Sequence, residues 1–95
     1  MDKFDTIYVY LVSFTSLGRS QDEKTIDDDH KRVTDFVHLL SSGKGKCLLY
    51  TVPGPYDFVS LVWNITGDEA IQVQREIERK GYAKAVLLPA EKANK

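Results

Sequence analysis

A chain of 95 residues holds one domain and one core, and at this size only about two thirds of the unfolded surface is buried, so extra burial against a partner would matter. The 42% hydrophobic and 28% charged residues are those of an ordinary globular protein, and a net charge of −1 gives no electrostatic reason to expect nucleic acid or an anionic membrane as a partner. The single cysteine, Cys47, excludes an internal disulfide and a cysteine-based metal site.

The opening Met1–Asp5 lacks the basic and apolar regions of a signal peptide, and no apolar run approaches the ~20 residues that cross a bilayer. A soluble, cytoplasmic protein is expected. The first element is a strand over Ile7–Phe14 (IYVYLVSF), rich in β-branched and aromatic residues. Both alternating sets are apolar: Ile7, Val9 and Leu11 on one side, Tyr8, Tyr10, Val12 and Phe14 on the other. A strand with one wet face would alternate polar and apolar, so this one is expected to be covered twice. The polar stretch Thr15–Thr25, with Gly18, reads as a loop in which the first helix starts late.

Ile26, His30, Val33, Val37 and Leu40 recur at helical spacing, with Phe36 and Leu39 widening the stripe. Thr25 or Asp27 is the expected cap, and the aspartates at 27–29 suit the positive end of the helix. Ser41-Ser42-Gly43 and Gly45 stop it. Acids and bases alternate at Asp27, Asp28, Asp29, Lys31 and Arg32, and again at Glu76, Glu78, Arg79 and Lys80, as on two solvated helix faces. Lys46–Pro53 is the second strand, with Cys47 a buried structural thiol, and Asp57–Ile65 is the third, reached through a Gly54-Pro55 turn.

Thr66-Gly67-Asp68-Glu69 opens a second helix that runs to Lys80, its inner stripe Ala70, Val73, Gln74 and Ile77, flanked by Ile71. Gly81 is its C-terminal glycine. Tyr82–Leu88 is the fourth strand, ended by Pro89, so the domain is expected over 1–89 with a polar tail over 90–95. Strand-helix-strand thus occurs twice. Right-handed crossovers turn this order into an α+β, ferredoxin-like β-α-β-β-α-β sandwich, a four-stranded antiparallel sheet with both helices on one face. Strands one and three are central, and the second face is bare in a monomer.

The stretch Thr51–Val59 (TVPGPYDFV) resembles the signature of the GYD-domain family, with Gly54 as its glycine, Pro55 as an extra residue and Tyr56-Asp57 as its pair. Phe14-Thr15 with Gly18 is similar to that family's first strand end. The same pattern resembles, more widely, the ligand-sensing domain of leucine-responsive regulators and other dimeric α/β-barrel proteins. The resemblance implies a homodimer, or a higher oligomer, whose sheets face each other over a cavity or a packed interface. It implies no reaction. Trp63 stands where the family's third strand often has a polar residue, which speaks against a polar site there.

Candidate chemistry is sparse. His30 and His38 lie eight residues apart, about 80° round a helix, with no third ligand spaced to join them, so both read as structural and no metal or cofactor is expected. Tyr56-Asp57 admits an acid–base reading, but a turn role is preferred: Pro55 fixes φ and the Asp57 carboxylate accepts backbone N–H bonds within the turn. Gly54, Pro55, Tyr56 and Asp57 are therefore a structural turn motif. Gly43-Lys44-Gly45-Lys46 follows a helix and lacks the Gly-Lys-Ser/Thr ending of a phosphate loop. No residues remain for a helix-turn-helix, so neither nucleic acid nor membrane is an expected partner.

The aromatics are more informative. Small Ser60 in a central strand leaves room for a helix, which puts Phe58, Ser60 and Val62 under the helices and Val59, Leu61 and Trp63 on the open face, joined there by Tyr8 and Tyr10; the opposite phase is the alternative. Tyr8, Tyr10, Phe14, Tyr50, Leu61 and Trp63 are the resulting candidates for a dimer interface or for an aromatic pocket taking an unidentified small, planar or carboxylated ligand.

Two function classes follow. The first is a non-enzymatic homodimeric module that binds a small molecule or a partner protein at or near the sheet-to-sheet interface, or merely forms an oligomer. The second is a small dimeric α/β-barrel monooxygenase, cofactor-independent or haem-degrading. Haem enzymes of that type use a helix histidine with a strand tryptophan and asparagine. Trp63 and Asn64 are neighbours that a strand points to opposite faces, and the helix Asp68–Lys80 has no histidine, which favours the first class.

Overall fold

A computed structural model describes residues 6–91. Its elements are β1 (Thr6–Phe14), α1 (Ser16–Arg19), α2 (Glu23–Leu40), β2 (Lys46–Thr51), β3 (Phe58–Trp63), α3 (Gly67–Glu78) and β4 (Ala83–Glu91). The four strands form one antiparallel sheet in the order β2-β3-β1-β4, with β3 and β1 central and the long helices α2 and α3 packed on one face. This is the ferredoxin-like α+β arrangement. The opening Met1–Asp5 and residues 92–95 of the expected tail lie outside the described residues.

Register decides which side chains share a face. β1 pairs with β3 through Tyr8↔Val62, Tyr10↔Ser60 and Val12↔Phe58, and with β4 through Tyr10↔Leu87, Val12↔Ala85 and Phe14↔Ala83. Directly opposed residues of an antiparallel pair point the same way, so Tyr8, Tyr10, Val12 and Phe14 lie under the helices together with Ser60 and Val62. The expectation that Tyr8, Tyr10 and Phe14 share the open face with Trp63 is therefore corrected. Tyr10 is fully buried, and its hydroxyl donates to the Ala70 carbonyl at 2.6 Å, in the first turn of α3. Burial first, and the neighbouring Tyr8 second, push its pKa up. The physical reason for the placement is volume. Small Ala70, Ala83 and Ala85 leave a space between sheet and α3 that only a large side chain fills at core density, and the phenol finds an acceptor there.

Helix boundaries follow their caps. The expected loop over Thr15–Thr25 instead contains the single turn α1, capped by Thr15, whose Oγ1 accepts from the Gly18 amide at 3.1 Å and donates to the Gly81 carbonyl at 2.5 Å. Gly18 is there because of close approach: a Cβ on it would stand 1.9 Å from the Tyr82 carbonyl oxygen. The cap of α2 is Asp22, not Thr25 or Asp27. Its carboxylate accepts from the Thr25 amide at 2.8 Å, a bond that holds its pKa below the usual carboxylate range. Thr66 and Glu69 form a complete capping box on α3. Val33, Val37 and Leu40 of the α2 stripe face the sheet, but Leu39 is 80% exposed and does not widen it.

β4 continues through Pro89 to Glu91, so the strand does not end where a proline stop was expected and the tail does not begin at 90. Pro89 is tolerated because β4 is an edge strand, where every second amide points away from the sheet and needs no partner.

The Gly54-Asp57 turn works differently from expectation. Asp57 accepts from the Phe14 amide at 2.8 Å and from the Arg19 guanidinium at 3.2 Å, tying the β2–β3 connection to the end of β1 and to α1 instead of closing the turn on itself. Gly54 has φ +111° with no other group within 4 Å of the place a Cβ would occupy, so a side chain there meets no clash but forces strained backbone, about 1–2 kcal/mol. Pro55→Ala forfeits only the stiffening of the unfolded chain, about 0.4–1 kcal/mol. Gly54→Val should lower the urea midpoint more than Pro55→Ala does, and coincident midpoints would contradict this account of the turn.

Candidate functional sites

Two features stand apart, one on each face of the sheet. The first is the bare face. Two full rows cross it: Leu48–Leu61–Val9–Leu88 and, beside it, Tyr50–Val59–Leu11–Val86. All eight side chains are apolar or aromatic. Leu48, Tyr50, Val86 and Leu88 on the edge strands are each about half exposed, and the central four are partly exposed. Charge appears only at the margins, where Lys46 stands opposite Trp63 and Lys84 opposite Ser13. Of the candidate residues named from sequence, Tyr50, Leu61 and Trp63 belong to this face. The face also recruits Ile7, Val9 and Leu11, the β1 set that the assumed phase had turned inward.

The second feature is a cleft of about 180 Å³ between α2 and the β2–β3 half of the sheet. Val33, Val37, Val62, Phe58 and Ile77 give it apolar walls, and Ser60, Thr34, His30, Asp29 and Cys47 supply its polar atoms. Small side chains on the inner face, Ser60 on β3 and Ala83 on β4, leave it room. Cys47 is only partly buried there, with its thiol 4.0 Å from the Thr34 hydroxyl.

His30 stands at the mouth, half-buried, its ring edge-on to Phe58 at 4.8 Å, and Phe58 is in turn edge-on to Phe14 at 5.2 Å. His30 and Phe58 also line a shallower depression outside, bordered by Arg19, Glu23 and Ile26. Burial lowers the His30 pKa below its ordinary 6.5, against the opposing pull of Asp29 and Asp27. The imidazole is thus neutral at pH 7 and offers one donor and one acceptor. His38, by contrast, is exposed. Since the folded pKa of His30 lies below the unfolded value, the unfolded chain binds more protons between the two, and stability falls as pH drops through 6.5 toward the folded pKa. Urea midpoints measured from pH 8 to pH 5 should show this decline in the wild type and a shallower one in His30→Gln; identical slopes would refute it.

Asp29 does not bring a free charge to the cleft. Arg32 donates to it at 2.9 Å, pairs with the Glu76 carboxylate and donates to the Glu76 carbonyl at 3.0 Å. The side chains of Asp29, Arg32 and Glu76 are only 10%, 18% and 13% exposed, so these three form an ion network between α2 and α3 and are not part of the solvated faces expected for them. The i, i+4 pairs Lys24–Asp28 and Lys31–Asp35 do lie in solvent.

Sequence reasoning missed the cleft. The available signal was polar residues on positions that should be inward: His30 and Thr34 one turn apart on the α2 stripe, and Ser60 in a central strand. Among the described residues, no helix is long and apolar enough to cross a membrane. Comparison with known proteins finds no match: no family model, no curated protein and no solved structure is similar to this chain.

Proposed function

We propose that this chain is a non-enzymatic, self-pairing module in which two copies meet through the bare sheet face. The observation that carries the reading is the pair of uninterrupted apolar rows across all four strands, with lysines only at their margins. Four strands about 4.8 Å apart and some six residues long present roughly 400 Å² in projection, the size of the largest apolar patches on soluble monomers, which are often functional. At about 25 cal/mol per Å², covering it contributes on the order of 10 kcal/mol per copy, against association costs of about 4–15 kcal/mol. A second copy is the favoured cover because the face is self-complementary: apolar at its centre, weakly charged at its rim, and twofold pairing requires only one such patch. Tyr50, Leu61 and Trp63 are interface residues in this reading.

A cytoplasmic setting, and kinship with the GYD-domain family on the strength of the Gly54-Pro55-Tyr56-Asp57 stretch, belong to the same proposal. Sedimentation equilibrium tests it: a dimer mass at tens of micromolar supports the pairing, and a monomer mass at that concentration overturns it.

A further inference from the structure

We propose that the cleft between α2 and the β2–β3 half of the sheet is a binding site for a small neutral molecule of about one ring that carries a hydroxyl group. The volume sets the size. About 180 Å³ is slightly more than the ~150 Å³ in which a buried apolar cavity takes up benzene. The walls set the polarity, since Val33, Val37, Val62, Phe58 and Ile77 offer only apolar contact.

The remaining groups set the chemistry. Among the described residues no buried side-chain polar atom lacks a partner, and neither the Ser60 hydroxyl nor the His30 imidazole is bonded to another side chain, so both keep access to open space, and both residues line the cleft, His30 at its border with the outer depression. Together they present a donor and an acceptor, the complement of a hydroxyl, which gives one proton and takes another. Charge is disfavoured. The one carboxylate at the wall, Asp29, is neutralised by Arg32, and an ionised ligand would surrender its hydration without a counter-ion. Leu48 at the β2 edge borders both surfaces, but the other cleft residues named here lie on the face opposite the proposed pairing surface, so the two readings are tested separately.

The test uses the full chain with methyl and aromatic labels for NMR, titrated separately with phenol, toluene and benzoate at pH 7.5. Phenol should shift the Val33, Val37 and Val62 methyls and the His30 ring. Toluene should shift the same methyls with about tenfold weaker affinity, one hydrogen bond's worth, and benzoate should leave them unmoved. In His30→Leu the preference for phenol over toluene should shrink while toluene binding persists. Labelling of Cys47 by a thiol reagent should slow in the presence of phenol in the wild-type protein, a readout that needs no variant to fold. The proposal is overturned if phenol at ~10 mM leaves the cleft methyls unshifted, if benzoate matches phenol, or if the shifts gather on Val9, Leu61 and Leu88 instead.

Discussion

Leu61→Glu should yield a folded monomer in place of a dimer. Leu61 sits on central strand β3, in the row Leu48–Leu61–Val9–Leu88, and its side chain points away from the core beneath α2 and α3. The substitution therefore leaves the core packing intact and acts on the bare face alone. In a twofold pairing each copy contributes one such glutamate, so two carboxylates are brought into or near a dry contact. Desolvating them without partners costs several kcal/mol by order of magnitude, which weakens association by about a thousandfold or more. Trp63→Glu is the gentler variant, because Lys46 stands directly opposite position 63 and offsets part of the new charge. Trp63 is the chain's single tryptophan, so its emission reports on this face without ambiguity. It should be blue-shifted in the wild type at tens of micromolar and move to the red in Leu61→Glu, while the far-UV circular dichroism stays unchanged. A wild-type protein that sediments as a monomer, with Trp63 emitting like indole in water, removes the pairing altogether.

How far the sequence could carry this picture depended on which information each element holds. The strand and helix order followed from local pattern, since periods of two and 3.6 are written into neighbouring residues. The phase of β3 was legible for the same reason: Ser60 is the one small side chain in its alternation, and a helix packs over it. The phase of β1 was not legible. Ile7, Val9 and Leu11 are as apolar as Tyr8, Tyr10 and Val12, so alternation does not choose between them. The choice is made by register with β3, some fifty residues away in the chain, and by the space that Ala70, Ala83 and Ala85 leave for a tyrosine ring. The cleft was hidden behind the same difficulty, because its walls come from α2, α3 and all four strands together. Asp57 was expected to accept from amides of its own turn, whereas its partners, the Phe14 amide and Arg19, are brought to it by topology. Pro89 misled because its meaning depends on whether the strand is central or at an edge, which only the sheet order reveals.

Arg32 is the clearest instance of a residue whose importance is absent from its surroundings in sequence, and replacing it should be among the most destabilising substitutions in the chain. In the alternating charges of α2 it looks like one more solvated base. In the fold it holds two carboxylates at once, Asp29 on its own helix and Glu76 on α3, forty-four residues on, and also takes the Glu76 carbonyl. Arg32→Ala leaves the nearly buried Asp29 with no cation and Glu76 with only the exposed Arg79 at 3.4 Å. Breaking a buried pair from one side costs about 3–5 kcal/mol, a large share of the 5–15 kcal/mol by which domains of this size are stable. Arg32→Lys should recover only part of the loss, since a point charge does not reproduce the fork that reaches two carboxylates and a carbonyl together. Further replacement of the acids distinguishes the cause. If the penalty comes from uncompensated charge, Arg32→Met combined with Asp29→Asn and Glu76→Gln should be markedly more stable than Arg32→Met alone. If it comes from lost packing of the long side chain, the added substitutions should bring no recovery. Urea melts of the four variants settle it, and a loss below about 0.5 kcal/mol for Arg32→Ala, the range of an ordinary surface substitution, would show that the α2–α3 contact does not depend on this network.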